Sequence, residues 1–314
     1  MVEKDRPHPR VAVCLAACNG MTWIGPQVDS ILAQENVEIR IIASVDHSTD
    51  ATEGWLRDLA ARDPRVTLLP TAPTSGGAAQ NFFRLLREGD FNGCDYIALS
   101  DQDDIWLPDK LARAIQRLNG SKAQGYSSDA LAFWPNGRRK LIRKSQPQKI
   151  WDYFFESPGP GCTFVLDPRL MASLRAHLAT CPQALTNISF HDWFVYAFAR
   201  ARGYSWVIDN RPYLLYRQHA SNVFGVNRGW LAFQRRTLMS VQGWHLKQAR
   251  LIAHAVGAAH QEFVQRTLFA GPWGYFRLPC LAGQCRRKRW DQILLALSSL
   301  SLGAKELFSH DRNA

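Results

Sequence analysis

The chain has no Gly-x-Gly-x-x-Gly after its first strand-like segment and no Gly-Lys-Ser/Thr. A dinucleotide Rossmann enzyme and a P-loop NTPase are both disfavoured by that. Its seven cysteines are scattered, and the closest pairs, Cys14/Cys18 and Cys280/Cys285, lack the Cys-x-x-Cys spacing of zinc or redox sites. Reduced thiols in a cytoplasmic protein are the expectation. The first ten residues carry charges and prolines without an apolar core, which reads as no secretory signal. No apolar run reaches the roughly 20 residues that span a bilayer. The stretch from Ile293 to Leu302 is interrupted by Ser298, Ser299 and Ser301, so the protein is not expected to be integral. Internal repeats and low-complexity tracts are also missing.

What is present indicates a folded chain. Its 314 residues are 46% hydrophobic and 11% aromatic, enough for one large domain with an appendage or for two domains. The net charge of +11 is unevenly placed: residues 1–228 carry +3 and residues 229–314 carry +8. In that tail Trp230, Trp244, Trp273 and Trp290 alternate with Arg235-Arg236, Lys247, Arg250 and Arg286-Arg287-Lys288-Arg289. Two readings stand for it: a helical subdomain with a solvated basic face, or a peripheral contact with an anionic membrane surface. Charge alone would also allow nucleic acid, which the motifs below do not favour.

The first 120 residues alternate strand and helix signals. Strands are expected over Arg10–Ala16, Ile39–Val45, Val66–Leu69 and Tyr96–Ser100. Helices are marked by Ile24/Val28/Ile31, Trp55/Leu56/Leu59, Phe82/Leu85/Leu86 and, after Pro108, Leu111/Ile115/Leu118. Such alternation predicts an α/β fold with a mainly parallel central sheet flanked by helices. Ser121–Lys149 reads as loops around one short strand, Ala130–Trp134, and Gly159-Pro160-Gly161 as a turn into a strand over Cys162–Leu166. A helix is expected over His191–Arg202, then strands over Ser205–Asp209 and Pro212–Arg217. From Trp230 the pattern is helical, with breaks expected at Gly271-Pro272 and Pro279.

Open parallel sheets bind ligands at the carboxyl ends of their strands. Those ends are rich in chemistry: Ala17-Cys18-Asn19-Gly20, Asp46-His47-Ser48-Thr49-Asp50, Thr74-Ser75-Gly76-Gly77 with Asn81 beyond, and Asp101-Gln102-Asp103-Asp104. Three carboxylates within four residues repel unless a cation sits on them. A hard divalent ion such as Mg²⁺ or Mn²⁺ that also binds a diphosphate suits the cluster. An exposed acidic turn is the plain alternative. Asp50 reads equally as a helix cap.

Six segments, in order over roughly 210 residues, then carry a resemblance. They are Val11–Gly20, Gln27–Gln34, Asp46–Thr52, Ser100–Trp106, His191-Asp192-Trp193 and Tyr216-Arg217-Gln218-His219. Together they resemble a family 2 glycosyltransferase of the GT-A fold, in particular its rhamnosyltransferase-like branch. The resemblance implies a GT-A domain over residues 1–228 with a basic, Trp-rich helical extension over 229–314. It implies a metal-dependent inverting transfer from a nucleotide sugar, dTDP-L-rhamnose or another donor such as a UDP-hexose. The acceptor is expected to be a glycan or lipid-linked glycan of cell-surface polysaccharide synthesis, met at the inner face of the cytoplasmic membrane. Donor-binding positions carried over are Ala17, Asn19, Asp46, Asn81, Asp101, Gln102 and Arg217. Metal positions are Asp103, Asp101, Asp104 and His219, with Mg²⁺ or Mn²⁺ as the ion, and Asp192 matches the catalytic base. Asp192 also reads as a helix N-terminal charge, and His219 as an ordinary packed histidine. Two departures sit at the base-binding wall: Ala17-Cys18 where the family usually has Thr-Tyr, and Val45-Asp46 where it usually has Asp-Asp. They leave room for a non-catalytic nucleotide-sugar or glycan-binding scaffold of the same fold.

Overall fold

A computed structural model describes residues 7–71, 76–219 and 243–310. Thr74, Ser75, Trp230, Arg235 and Arg236, singled out above, lie outside them. Two compact units share the chain. One is built from the described parts of Met1–Ser145, Pro158–Pro182 and Phe190–Val223, the other from those of Gln146–Ser157, Gln183–Ser189 and Phe224–Ala314.

The first unit holds the strands. They are β1 (Arg10–Ala17), β2 (Glu38–Val45), β3 (Val66–Leu68), β4 (Tyr96–Ser100), β5 (Ile105–Trp106), β6 (Gly125–Ser128), β7 (Ala130–Phe133), β8 (Arg139–Ile142), β9 (Val165–Leu166), β10 (Trp206–Asp209) and β11 (Leu214–Arg217). Its helices are α1 (Ile24–Leu32), α2 (Thr52–Arg62), α3 (Ala78–Glu88), α4 (Lys110–Ser121), α5 (Pro168–Thr180) and α7 (His191–Ala201). A seven-stranded sheet runs β10-β6-β9-β4-β1-β2-β3, parallel except for β9, which is antiparallel to both β4 and β6. A second sheet runs β5-β11-β7-β8.

Burial explains the central strands. All of β1 beyond Arg10 is buried, as expected where helices cover both faces of a parallel sheet. Its core partners include Ile41 and Ala43 of β2 and Ala98 of β4. Polar straps close the same end of the sheet. Gln27 Nε2 donates to Ser100 Oγ at 2.7 Å, and Asn81 Nδ2 donates to Ser44 O at 3.0 Å and Ala17 O at 3.3 Å.

Several expectations are corrected. Residues 121–149 hold three strands rather than one. Gly-Tyr-Ser-Ser of β6 is a weak strand signal, but a Cβ at Gly125 would lie 2.1 Å from the Trp206 ring of β10, so the close packing of that pair selects glycine. The turn at Gly161–Thr163 is a 3₁₀ helix, leaving β9 only two residues long. Helix α5 had no counterpart in the sequence reading. It is set by Asp167, whose carboxylate accepts the Leu170 N–H at 2.8 Å, and by Pro168 in the first turn.

The second unit is helical: α6 (Pro182–Leu185), α8 (Trp244–Ala255), α9 (Glu262–Thr267), α10 (Gly271–Cys285) and α11 (Arg289–His310). Helix α10 runs through Pro279 instead of breaking there, and Gly271-Pro272 opens it. Segment Gln146–Ser157 packs within this unit, with Trp151 stacked on Phe263 at 4.4 Å. The basic run is partly consumed internally. The Arg287 side chain is fully buried, 3.1 Å from Glu156 and 3.6 Å from Asp152, and its N–H donates to Glu156 at 2.6 Å. Removing one partner of a buried ionic group strands the others. Arg287→Ala is therefore expected to destabilise the protein by about 3–5 kcal/mol, read as a lowered urea midpoint. A midpoint within error of wild type would refute that assignment.

Candidate active site

Strands β4, β1 and β2 are adjacent and parallel, so their carboxyl ends open side by side. The loops that follow are braced to one another. At Asn19 φ is +47°, in the left-handed region that asparagine tolerates. That turn aims its Oδ1 at Thr49, accepting from the backbone N–H at 2.7 Å and from Oγ1 at 3.2 Å, while the Asn19 N–H donates to Ser48 Oγ at 3.0 Å. Gln102 pairs with the Cys18 backbone twice, accepting its N–H at 2.8 Å and donating to its carbonyl at 2.7 Å. Asp46 Oδ1 accepts the His47 N–H at 2.8 Å and its Oδ2 accepts the Gly77 N–H at 3.2 Å. Asp50 takes the Met21 and Thr52 N–H groups, each at 3.0 Å, tying the loop after β1 to the start of α2.

The acidic segment is held from below by β11. The Arg217 N–H donates to Asp104 Oδ1 at 3.1 Å, and its Nε donates to the Asp103 carbonyl at 2.8 Å. The guanidinium lies between two rings, 4.4 Å from the centroid of Trp23 and 4.7 Å from that of Phe133. His219 Nε2 lies 2.7 Å from Asp103 Oδ2, and its ring stacks on Trp23 at 5.8 Å. Asp103, Arg217 and His219 thus meet at one point. Asp101 and Asp104 meet at another: their carboxylates and the thiol of Cys162 offer atoms within 4.8 Å of one another.

Electrostatics follow from burial. Asp104 is fully buried, and burial followed by Asp103 and Asp101 raises its carboxyl well above the usual range. Burial and then Asp103 push Asp101 up to about 7. Lys110, buried with its Nζ 3.3 Å from the Trp106 ring centroid, is pushed down to about 7 by burial. Asp104 Oδ2 makes no hydrogen bond among the described residues. A desolvated Asp104 carboxylate beside that of Asp101 offers oxygen ligands to a hard divalent cation, which would offset this repulsion; the third member of that group is the Cys162 thiol, while Asp103 pairs with His219.

The remaining expected residues are placed as follows. Ala17 is buried, and its carbonyl accepts the Asp46 N–H at 2.8 Å. Asn81 is buried beneath the strand ends as the strap described above. Asp192 lies in the first turn of α7, its Oδ1 accepting the Trp193 N–H at 2.7 Å. Just ahead of it, His191 stacks on Phe82 at 3.8 Å, and burial pushes its imidazole down to about 3. A Cβ at Gly161 would lie 2.2 Å from His191 Nε2. Sequence reasoning missed Trp23, Phe133, Lys110 and the place of Cys162. Only the turn at Gly161-Cys162 hinted at any of them.

Residues 12–155 match the glycosyl transferase family 2 model. The chain is 39% identical over 284 residues to the dTDP-rhamnosyl transferase RfbG of Shigella flexneri, covering 90% of this chain and 98% of that protein. It is 35% identical over 117 residues to the succinoglycan biosynthesis protein ExoO of Rhizobium meliloti (strain 1021), covering 37% of this chain and 32% of that one. Among solved structures, the mannosyltransferase PcManGT of Pyrobaculum calidifontis in complex with GDP-Man and Mn²⁺ aligns over 96% of this chain and 88% of its own, at a TM-score of 0.52 and 17% identity. S. aureus TarS 1–349 in complex with UDP-GlcNAc aligns over 96% and 92%, at 0.51 and 10%. These structures share the GT-A fold with this chain.

Two outcomes are expected from the packing ahead of Asp192. Gly161→Ala forces the His191 ring away and should cost about 1–3 kcal/mol by overpacking, seen as a lower melting temperature. His191 is neutral in the folded state, with its affinity for protons depressed below the unfolded value of about 6.5. The unfolded chain therefore binds the extra proton, and stability falls as pH drops from about 6.5 toward 3. In His191→Gln that acid branch should lose up to one proton of slope in urea melts collected across the same range. An unchanged slope would contradict a neutral buried ring.

Proposed function

The chain belongs to glycosyl transferase family 2 and is a glycosyltransferase of cell-surface polysaccharide synthesis, and from that premise we propose that it transfers L-rhamnose from dTDP-L-rhamnose, with inversion, to a glycan or lipid-linked glycan acceptor. The donor follows the relative that spans nearly the whole chain. The observation that carries the reading is the acidic segment Asp101–Asp104 at the end of β4, with Arg217 bonded to Asp103 and Asp104 and His219 against Asp103.

The chemistry is an in-line displacement at the anomeric carbon. The acceptor oxygen forms the new C–O bond as the bond to the diphosphate oxygen breaks, and the electron pair leaves with the nucleoside diphosphate. Asp192 is the group proposed to take the acceptor hydroxyl proton. A carboxylate suits that role because it need not be raised into an unusual form to accept a proton at neutral pH. Asp46 is proposed to meet the base, with Ala17, Asn19, Asn81 and Gln102 shaping the pocket around the nucleoside. Arg217 and His219 are proposed to donate to the diphosphate, where charge builds as it leaves. A divalent cation, Mg²⁺ or Mn²⁺, held by Asp103, Asp101 and Asp104 with His219, supplies further positive charge for the diphosphate when bound. Arg217 is suited to its part because two rings and the Nε hydrogen bond to the Asp103 carbonyl already hold its guanidinium.

Calorimetric titration of dTDP, UDP and GDP, with and without Mn²⁺, tests the donor site. Binding of dTDP that needs the metal and is lost in Asp103→Asn is the expected result. Preference for UDP would replace the donor, and binding indifferent to both metal and Asp103 would overturn the site. Asp192→Asn should keep donor affinity and lose turnover by about 10²–10⁴-fold, the usual contribution of a general base. Retained turnover would remove Asp192 from the mechanism.

A further inference from the structure

Helix α11 carries several large apolar side chains outward. Trp290, Ile293, Leu297, Leu300 and Phe308 are 77%, 46%, 60%, 41% and 68% exposed. Their spacing repeats every three, four or eight residues, so they share one face along most of the helix. The opposite face carries Ser298, Ser299 and Gly303 beside the buried Leu295. Ser298 and Ser299 are buried, and a Cβ at Gly303 would lie 3.2 Å from Phe276 and from the Pro272 carbonyl of α10. The two buried hydroxyls turn back onto their own helix, Ser298 Oγ donating to Leu295 O at 3.1 Å and Ser299 Oγ to Ala296 O at 2.9 Å. Ser298 and Ser299 therefore point inward while Leu297 and Leu300 point out, with Leu295 buried on the inner face and Ser301 exposed. The outer face is thus more apolar than that of a helix folded for water on that side.

The stripe is too extensive to be incidental surface. From Trp290 to Phe308 it runs about 27 Å at 1.5 Å per residue, and contiguous exposed apolar patches mark contact sites. Helix α11 is nevertheless not apolar enough to cross a bilayer, and no helix among the described residues is. Its border is basic: Lys288, Arg289 and Lys305 are exposed, while the nearby Asp291 faces Arg286 at 3.5 Å. On the preceding helix Trp273 is 67% exposed beside an exposed Arg277. A second copy of the chain would bring the same basic border against itself. An anionic lipid surface complements both the apolar stripe and its border.

We propose that the outer face of α11 is a membrane-docking surface, lying in the plane of an anionic bilayer with Trp290, Ile293, Leu297, Leu300 and Phe308 at the depth of the headgroups and Lys288, Arg289 and Lys305 on the lipid phosphates. The proposal is independent of the transfer chemistry. Its test is co-sedimentation of the full-length protein with vesicles of phosphatidylglycerol and phosphatidylcholine mixed at about 1:2, against phosphatidylcholine alone, an anionic surface being what attracts basic residues. Binding to the anionic vesicles is expected, reduced at least about tenfold in Trp290→Ser/Leu297→Ser, whose substituted side chains are exposed and leave the fold intact. Lys288→Gln/Arg289→Gln should weaken binding to the anionic vesicles and leave the weak phosphatidylcholine signal unchanged. Equal binding by wild type and the double serine variant would overturn the proposal. So would no binding at low salt, or a dimer in solution that the serine variant dissolves, which would assign the stripe to a second copy. Circular dichroism and dTDP affinity equal to wild type show that the variants fail, if they fail, at the membrane alone.

Discussion

Arg217 is the residue on which the arrangement of the acidic segment depends. Its backbone N–H reaches the carboxylate of Asp104, its Nε reaches the carbonyl of Asp103, and its guanidinium plane is fixed between Trp23 and Phe133. Three carboxylates in four residues would spread apart in water. Here one cationic residue at the end of β11 holds the segment against the main sheet's strand ends. Because β11 pairs with β5 and β7, the second sheet exists at this point to deliver Arg217 and, two residues on, His219. Lysine would carry the charge but not the plane, and the stacking between two rings would be lost.

Beneath that segment lies a second group of charges. Asp101, Asp104 and Cys162 lie close together, with Lys110 a nearby buried cation whose field acts on Asp104 and Cys162. Burial raises the first three toward their protonated forms and lowers the lysine toward its neutral one, so each group resists bearing its charge alone. A site built this way is unfavourable when empty of countercharge and responds strongly when countercharge arrives. The low-dielectric setting that makes these carboxylates costly is also what makes their attraction to a cation effective.

Much of the first unit is legible in the sequence because its signals are local. Val11, Val13 and Leu15 mark a buried strand, Asp101 follows an apolar run, and α3 repeats its apolar residues at helical spacing. What escaped is non-local. Strand β6 depends on the Trp206 ring lying over Gly125, some 80 residues away in sequence, and nothing in Gly-Tyr-Ser-Ser announces that. The ring pair around Arg217 comes from Trp23 and Phe133, one in a loop and one at the end of a short strand, so no spacing rule joins them. The basic run at Arg286–Arg289 looks uniform as text, yet Arg287 is buried on Glu156 and Asp152 while Lys288 and Arg289 are exposed. Helix α10 passes through Pro279 because its packing with neighbouring helices outweighs the loss of one backbone hydrogen bond.

The braces among the strand-end loops have a thermodynamic consequence for recognition. Asn19 is tied to Ser48 and Thr49, Cys18 to Gln102, and Asp46 to Gly77, all within the protein itself. The conformational entropy of ordering these loops is surrendered when the chain folds, before any nucleotide arrives. A ligand bound at these loops would then meet a smaller ordering cost than at loops without such braces.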